Sequence, residues 1–324
     1  MVHAAQLTTL QKFGVNGQVK GALSYRSGAL WPYRLVTCVW KKLLEEFSNQ
    51  LSIETSTPVQ RIELSTSPDF PYSVTTSRGT IQARHVVHAT NAFAPQLVPG
   101  LRGKATGIRA HMSSQPPGNR FPDMKGQRSW SIMYAGAGFD YVSQRPSTED
   151  GVPGDIMLGG GFAQSAKQGM DQIGVYDDSR IDALTTSHNL GIMPTIFEPN
   201  WGVPTPSHAD SRAIRVWSGI ISFAADLRPL VGKLDPRTTG RKAPAQAFDS
   251  AEWIAASFIG DGMVWAWLSG TALGLMITGS QDEKLAAVPG RPGGRLSDWF
   301  PEELLPTQER IKKMDLASLA EELM

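Results

Sequence analysis

The chain has 324 residues and a formal net charge of +1, so it carries no excess of positive charge for nucleic acid or acidic membranes. Hydrophobic residues make up 41% of it and charged residues 19%, a globular composition that argues against a wholly disordered protein. The single cysteine, Cys38, excludes an internal disulfide framework and a cysteine-rich metal site, and we expect no bound metal.

The N-terminal residues 1–18 do not have the pattern of a signal peptide, because no long apolar run follows a positive cluster. We therefore expect an intracellular, cytoplasmic protein. The same residues contain no glycine-rich turn between a strand and a helix.

The first clear element is a helix that begins at Pro32, because a proline suits the first helical position. Apolar residues then recur on one face of this helix, at Leu35, Val36, Val39, Trp40, Leu43, Leu44 and Phe47. Cys38 lies near the border of this stripe, and we expect a buried or half-buried thiol rather than a reactive one.

Strands are predicted next at 59–64, 72–76 and 80–83, with a hairpin turn at Arg78-Gly79. Val86 and Val87 predict a short buried strand that ends in small residues. Small residues at such an end let a ligand approach the backbone, as at the edge of an open α/β sheet. An ordinary transition from strand to loop explains them as well.

Residues 101–216 have the pattern of a separate unit. Strands are predicted at 130–134, 140–144 and 155–158, and a helix at 178–193. Because the hairpins do not alternate with helices, the pattern favours an antiparallel sheet.

An apolar helix is predicted from Met263 to Ile277, directly after Gly260-Asp-Gly262. Its length is at the lower limit for a membrane span, but glycines dilute its apolar character, so we expect a buried helix in a globular core. The glycines leave the N–H groups of the first turn open for an anionic or electron-rich ligand edge, although a simple turn from strand to helix is an alternative.

Taken in chain order, several motifs resemble the FAD-dependent amine and D-amino-acid oxidase superfamily, most of all its fungal FAD-dependent oxidoreductases. The motifs lie in the family's order over most of residues 20–280. They include Thr57-Pro-Val59 with Ile62, the stretch from Arg78 to Ala92, Tyr141-x-x-Gln144, Leu158-Gly-Gly-Gly161, Trp217-Ser-Gly219 with Asp226, and Gly260-Asp-Gly-Met263.

The resemblance implies a mixed α/β (α+β) fold, with an incomplete FAD-binding domain of the GR2 type and an antiparallel-sheet substrate domain. It implies a partial FAD-binding domain at 1–100, the substrate domain at 101–216, a return to the FAD-binding domain at 217–281 and a C-terminal tail at 282–324.

The resemblance also implies the site residues. The cofactor would be FAD, held without a covalent bond, and its contacts would come from Val59, Ala89, Thr90, Asn91, Gly219, Asp226, Gly260, Asp261, Gly262 and Met263. Arg109 and Tyr141 are candidates for the substrate face, with a surface arginine and a structural tyrosine as the alternatives. No catalytic residue is assigned.

The sequence departs from the family in three respects. The family's G-x-G-x-x-G unit is not found, so we expect a chain that begins downstream of that unit, and if the chain is truncated there it would bind FAD weakly or not at all. Ile221 stands where amino-acid oxidases of the group carry an arginine that clamps the substrate carboxylate, which favours an amine substrate. Asp261 replaces the more usual histidine beside the flavin.

The expected function is that of an amine-type oxidase, which transfers a hydride from a C–N bond to the flavin and uses oxygen as the acceptor. The alternative is a truncated, non-catalytic remnant of such an enzyme. The expected partner is a small-molecule substrate. Nucleic acid and a membrane span are not expected, and the oligomeric state is left open.

Overall fold

The structure is a computed structural model that describes residues 12–134, 138–149, 151–203, 214–242 and 249–322. Helices and strands are mixed, as the sequence predicts, and the chain forms two compact units. The first unit comprises the described parts of 1–31 and 109–219, and the second those of 32–108 and 220–323. The division into four domain segments stays a prediction. Residues 1–11, part of the stretch examined for a signal peptide, lie outside the described residues.

The bounds of the main elements follow the chain. The helices are α1 (Pro32–Glu46), α2 (Ala94–Leu97), α3 (Ala183–Phe197), α4 (Pro236–Thr239), α5 (Gly262–Ile277), α6 (Gln308–Lys313) and α7 (Leu316–Glu322). The strands are β1 (Val59–Leu64), β2 (Tyr72–Thr76), β3 (Gly79–Ala83), β4 (His85–His88), β5 (Ala105–Gln115), β6 (Ser129–Tyr134), β7 (Gly138–Gln144), β8 (Ile156–Gly160), β9 (Arg215–Ala224), β10 (Leu230–Lys233) and β11 (Ala251–Ala256).

Helix α1 confirms the helical prediction but buries none of its residues. Val36 is 51% exposed and Trp40 43%, although both belong to the apolar stripe. The expectation of a buried or half-buried Cys38 is therefore wrong, because the stripe beside this thiol is itself uncovered and the thiol is exposed.

The second unit contains the predicted hairpins as an antiparallel sheet in the order β1-β2-β3. A small core forms on one side of it from Ile62, Tyr72 and Val74. The local pattern of alternating residues and the turn at Arg78-Gly79 are sufficient to specify this sheet.

A second sheet of this unit has the order β10-β11-β4, in which β11 pairs antiparallel with β10 and parallel with β4. The strand predicted at Val86-Val87 is present as β4. The prediction that it is buried is wrong for Val87, which is 46% exposed, because β4 is an edge strand of this sheet and the face that carries Val87 is uncovered.

Residues of the predicted C-terminal tail pack into the core of the second unit. Ile311 and Met314 join a cluster that includes Val98, Leu101 and Ile254. The side chains of this stretch therefore bury apolar surface and help to stabilise the sheet of β10, β11 and β4.

Helix α5 also confirms its prediction, but only one side of it is buried, through Ser269, Ala272 and Leu273. On the other side Val264 is 73% exposed and Met263 57%. The expectation of a buried helix thus holds for one face. In the described part of the chain, no helix combines the length and the apolar character that a membrane crossing needs.

The strands of the first unit belong to a five-stranded sheet in the order β6-β7-β8-β5-β9, of which β5 and β9 continue past the bounds of the unit. The pairs β6–β7, β7–β8 and β8–β5 are antiparallel, which confirms the predicted sheet type. Residues of α3, among them Met193 and Phe197, pack against one face of the sheet. The helix begins at 183 rather than 178, because the carboxylate of Asp182 caps it by accepting from the Thr185 N–H at 2.8 Å.

Candidate functional site

The loop from β11 to α5 has an unusual backbone. Ser257, Ile259 and Gly260 have φ values of 60°, 50° and 83°, a left-handed conformation that branched side chains rarely adopt. The N–H of Ile259 donates to the carbonyl of Ser222 at 2.8 Å, which ties the loop to β9. The chain therefore enters α5 along a fixed path.

The first turn of α5 is open. Asp261 precedes the helix, but its side chain makes no capping hydrogen bond. The N–H groups of Gly262 and Met263 have no partner within the helix, as at every helix N-terminus. A Cβ atom placed on Gly262 would have only the Cβ of Phe258 within 4 Å, at 3.9 Å. The positive end of the helix dipole therefore faces open space, which suits an electron-rich ligand edge.

Gly260 extends this open backbone by one residue before the helix. A Cβ atom placed there would have only the Cδ1 of Ile221 within 4 Å, at 3.9 Å. Ile221, which stands where the family's arginine is expected, thus borders the open edge.

Asn91 joins the carboxyl end of β4 to that of β11. Its Oδ1 accepts hydrogen bonds from the N–H groups of Ser257 at 2.9 Å and Phe258 at 3.3 Å, and its own φ is 46°. Because β4 and β11 are parallel, their carboxyl ends meet at one edge of the sheet. The structure therefore brings Ala89, Thr90 and Asn91 to the edge that leads into α5. We call residues 89–91 and 260–263 together the α5 edge.

Val59 and Gly219 lie outside the α5 edge. Val59 begins β1 and, like Val86, packs against the small core of the first hairpins. Gly219 belongs to the first unit, and a Cβ atom placed on it would meet nothing within 4 Å. Their roles towards a cofactor stay predictions.

Both carboxylate oxygens of Asp226 are engaged by an arginine. Arg310 donates from Nε to Oδ2 at 2.7 Å and from Nη2 to Oδ1 at 3.1 Å, and also from Nη1 to the carbonyl of Pro229 at 3.0 Å. The bidentate pair fixes α6 to the end of β9. The geometry gives Asp226 a structural partner, whereas its predicted contact with FAD stays a prediction.

A buried ionic cluster joins β4 and β11, the two strands whose carboxyl ends meet at the α5 edge. Glu252 on β11 accepts from Arg241 at 2.8 and 2.6 Å and is 2.9 Å from Nε2 of His88 on β4. Burial by itself raises the pKa of Glu252, but the hydrogen bonds and charges of Arg241 and His88 outweigh it and hold the pKa below its ordinary value. Burial and then the charge of Glu252 raise the pKa of Tyr72 to about 12. The cluster fixes β4 to β11.

Arg109 lies in the first unit and makes structural contacts. Its Nε donates to Oε1 of Gln172 at 2.9 Å and its Nη1 to the carbonyl of Arg180 at 3.3 Å. His111, two residues along β5, accepts from the Asp182 N–H at 2.9 Å in the same segment. Burial and then the charge of Arg109 lower the pKa of His111.

Tyr141 lies in β7 of the same unit and is 43% exposed. Burial and then the charge of Asp140 raise the pKa of its phenol. By strand alternation Tyr141 points to the face opposite that of Arg109, whose contacts are on the side of α3. The two predicted substrate residues are therefore not brought together.

Sequence reasoning missed a cluster in the first unit. Asp140 accepts from Nε2 of His188 at 2.7 Å, from the hydroxyl of Tyr134 at 3.1 Å and from the N–H of Gly161 at 2.7 Å. Burial and then the negative charge of Asp140 raise the pKa of Tyr134. The run of glycines at 159–161 was the available signal, because a Cβ atom on Gly160 would be 2.4 Å from Oδ1 of Asp140.

The α5 edge has the chemistry to hold the flavin end of FAD. The open N–H groups match the negative charge of a reduced flavin, and the exposed side chains of Met263 and Val264 match an apolar ring. Among the described residues, no group of three or more His, Cys, Asp or Glu side chains is placed to hold a metal ion.

Comparison with known proteins shows the family of the chain and the fold that it shares with solved structures. Residues 1–274 match the family model DAO, described as FAD dependent oxidoreductase. Among solved structures, L-proline dehydrogenase from P. horikoshii is similar at 19% identity and a TM-score of 0.51, over 76% of this chain and 55% of that one.

Glycine oxidase from Bacillus cereus ATCC 14579 is similar at 13% identity and a TM-score of 0.46, over 72% of this chain and 52% of that one. Fructosamine oxidase (Amadoriase II) from Aspergillus fumigatus is similar at 13% identity and a TM-score of 0.44, over 68% and 47%. The chain thus spans about half the length of the solved structures that it matches. No curated protein matches it.

Proposed function

This chain belongs to the DAO family of FAD dependent oxidoreductases, and on that premise we propose that it is an amine-type oxidase that holds FAD without a covalent bond. The observation that carries the proposal is the open N-terminus of α5 beside residues 89–91 at one sheet edge. In a member of this family, such an edge is suited to the flavin.

The chain's own residues would bind and orient the cofactor. The N–H groups of Gly262 and Met263 would face the electron-rich side of the flavin, and the bare backbone of Gly260 would let the ring approach closely. Ala89, Thr90 and Asn91 would lie towards the adenosine and pyrophosphate. When bound, FAD supplies the redox chemistry, in which a hydride leaves a carbon bonded to nitrogen and the electrons pass to oxygen.

The side chain at 221 supports an amine rather than an α-amino acid as substrate. Ile221 borders Gly260, so an apolar group lies beside the proposed flavin edge. It offers no guanidinium fork for a carboxylate at this position. A substrate without a carboxylate loses no such contact.

A second candidate is a non-catalytic chain that holds FAD weakly or not at all. Two observations favour it, since α1 buries no residue and the edge strand β4 leaves Val87 exposed. The 324 residues also contain no G-x-G-x-x-G sequence for a pyrophosphate.

Two measurements on the purified chain separate these candidates. The protein is mixed with FAD, desalted, and its visible spectrum is recorded. The oxidase proposal expects a retained yellow flavin that bleaches when an amine is added without oxygen, and that recovers its colour with release of hydrogen peroxide when air is admitted. A colourless protein after desalting contradicts the oxidase proposal and supports the second candidate. A retained flavin that no amine reduces contradicts the amine-oxidase chemistry but not the binding.

A further inference from the structure

The backbone that joins β11 to α5 is held in a conformation that its side chains disfavour. Ser257 and Ile259 have φ values of 60° and 50°, although neither is a glycine. For a branched side chain such as that of Ile259, this left-handed conformation is an outlier that persists only where surrounding contacts enforce it. We call residues 257–260 the entry loop, because they lead into α5.

Asn91 supplies two of the enforcing contacts from the end of β4. Its Oδ1 accepts from the N–H of Ser257 at 2.9 Å and from that of Phe258 at 3.3 Å. Two consecutive N–H groups that converge on one point form a concave backbone site for a negatively polarised atom. The carboxamide oxygen of Asn91 fills this site, so both N–H groups are engaged within the chain.

The residue type at position 91 meets two requirements at once. The φ value of Asn91 is 46°, a left-handed value that glycine, asparagine and aspartate adopt with the least strain. Of these three, only asparagine and aspartate carry a side-chain oxygen that can accept from the two N–H groups. Asparagine accepts them without adding a negative charge at the α5 edge.

A second tether of the entry loop comes from Ser222 on β9. Its carbonyl accepts from the N–H of Ile259 at 2.8 Å, and its hydroxyl donates to that of Ser257 at 3.2 Å. Both serines are buried, so their hydrogen bonds lie in a medium of low dielectric constant, where they are stronger than in water. The entry loop is therefore tied both to the end of β4 and to β9, directly before the open first turn of α5.

We propose that Asn91 is a positioning residue for the flavin. Its carboxamide oxygen holds the entry loop, and through the loop it fixes the direction of the open N–H groups of Gly262 and Met263. The oxygen acts on the loop and not on the cofactor. The inference rests on the proposed function and deepens it, because it says how the site is ordered before FAD arrives. Without Asn91, binding of FAD would have to order the loop, which lowers the affinity.

The first test measures hydrogen exchange of single backbone N–H groups by NMR, in the chain without FAD. Asn91→Gly removes the acceptor but tolerates the left-handed backbone. In this variant the N–H of Ile259 is expected to exchange at least about tenfold faster, because the entry loop is released. Ile259 donates to Ser222 and not to Asn91, so its N–H reports on the loop as a whole. Asn91→Asp keeps an acceptor and is expected to stay within about threefold of the wild-type rate.

Three results of this test overturn the inference. The first is an unchanged exchange rate of the Ile259 N–H in Asn91→Gly. The second is an equal acceleration of the N–H groups of β2, because it would show a general loss of stability rather than release of the entry loop. The third is an equal acceleration of Ile259 in the matched control Thr307→Ala, which removes the acceptor of the Arg310 N–H in the same unit.

The second test is a titration of FAD followed by flavin fluorescence, in about 0.5 M salt to screen the charge of an introduced aspartate. Asn91→Gly is expected to bind FAD at least about tenfold more weakly than the wild type and Thr307→Ala, whereas Asn91→Asp restores the affinity to within about threefold. Binding by Asn91→Asp as weak as that of Asn91→Gly would show that the carboxamide itself contacts the cofactor, and would overturn the inference. Equal binding by all four forms would overturn it too.

The two tests separate this inference from the proposed function. If the wild type binds no FAD, the proposed function fails, and the exchange rates still decide whether Asn91 holds the entry loop. If Asn91→Gly does not fold, Asn91→Asp decides alone, because faster exchange of Ile259 or loss of FAD binding in that variant overturns the inference.

Discussion

Replacement of Glu252 by glutamine probes the buried cluster that holds β4 to β11. Glu252 is 2% exposed and accepts two hydrogen bonds from Arg241, and it is 2.9 Å from His88. Glu252→Gln keeps the shape of the side chain but removes its charge. It also places an amide N–H where an oxygen accepted hydrogen bonds.

The expected loss of unfolding free energy follows from the unpaired charge that the substitution leaves in the folded chain. The Arg241 guanidinium, whose side chain is 14% exposed, keeps its charge without a carboxylate partner. Removal of one partner from a buried ion pair costs about 3–5 kcal/mol of unfolding free energy. We expect a loss in that range.

The assay is guanidinium denaturation of the wild type and of Glu252→Gln. The matched control is Glu309→Gln, whose carboxylate pairs with Lys313 on an exposed face of α6. Such an exposed pair contributes little to stability, because water and salt screen it. If Glu252→Gln and Glu309→Gln lower the stability by the same small amount, the buried cluster does not hold this sheet together.

Comparison of the wild type with Glu252→Gln also tests how the stability of the chain depends on pH. Because the pKa of Glu252 is held below its ordinary value of 4.5 in the folded chain, its contribution is present above that value. The contribution is lost as the pH falls through the folded pKa. Wild-type stability should therefore fall more steeply in acid than that of Glu252→Gln, and parallel acid limbs would contradict the assignment.

Three further predictions follow from other contacts. Asp226→Asn should lower the unfolding free energy by about 1.5–3 kcal/mol, because it breaks the bidentate pair with Arg310; a change below about 0.5 kcal/mol in a denaturation curve would contradict the structural role. Cys38 should react with a thiol reagent in the native protein within about tenfold of its rate in urea, since it is exposed, and protection until unfolding would show a covered α1. Gly160→Ala should destabilise by more than about 2 kcal/mol, because φ is 132° and the added carbon would be 2.4 Å from the Asp140 carboxylate; an unchanged melting temperature would contradict the geometry.

Local sequence patterns correctly predicted several of the helices and strands. The 3.6-residue period gave α1, and alternation with a Gly79 turn gave β1 to β3, because short-range sterics and side-chain direction decide these elements. The glycines at 260 and 262 also indicated an open helix start, which the structure shows as α5.

Pairings between residues that are far apart in the sequence could not be predicted from it. Asp226 pairs with Arg310, 84 residues later, and His88 with Glu252, 164 residues later, so no local period reports them. The expected burial of Val87 was wrong because the burial of a strand residue depends on what packs against its face of the sheet, which the local sequence does not show. The expectation for Cys38 was wrong for the same reason, since a helical stripe shows which face is apolar but not what packs on it.

The most direct test of the flavin site is a titration of FAD into three forms of the chain, followed by flavin fluorescence. They are the wild type, Gly262→Ala and Gly270→Ala, two matched substitutions in α5 of which only the first adds a methyl group at the open N-terminus. The account predicts that the wild type and Gly270→Ala bind FAD equally and that Gly262→Ala binds at least about tenfold more weakly, a difference of about 1.4 kcal/mol. Equal affinity of all three forms, or no binding by the wild type, would contradict a flavin at the N-terminus of α5.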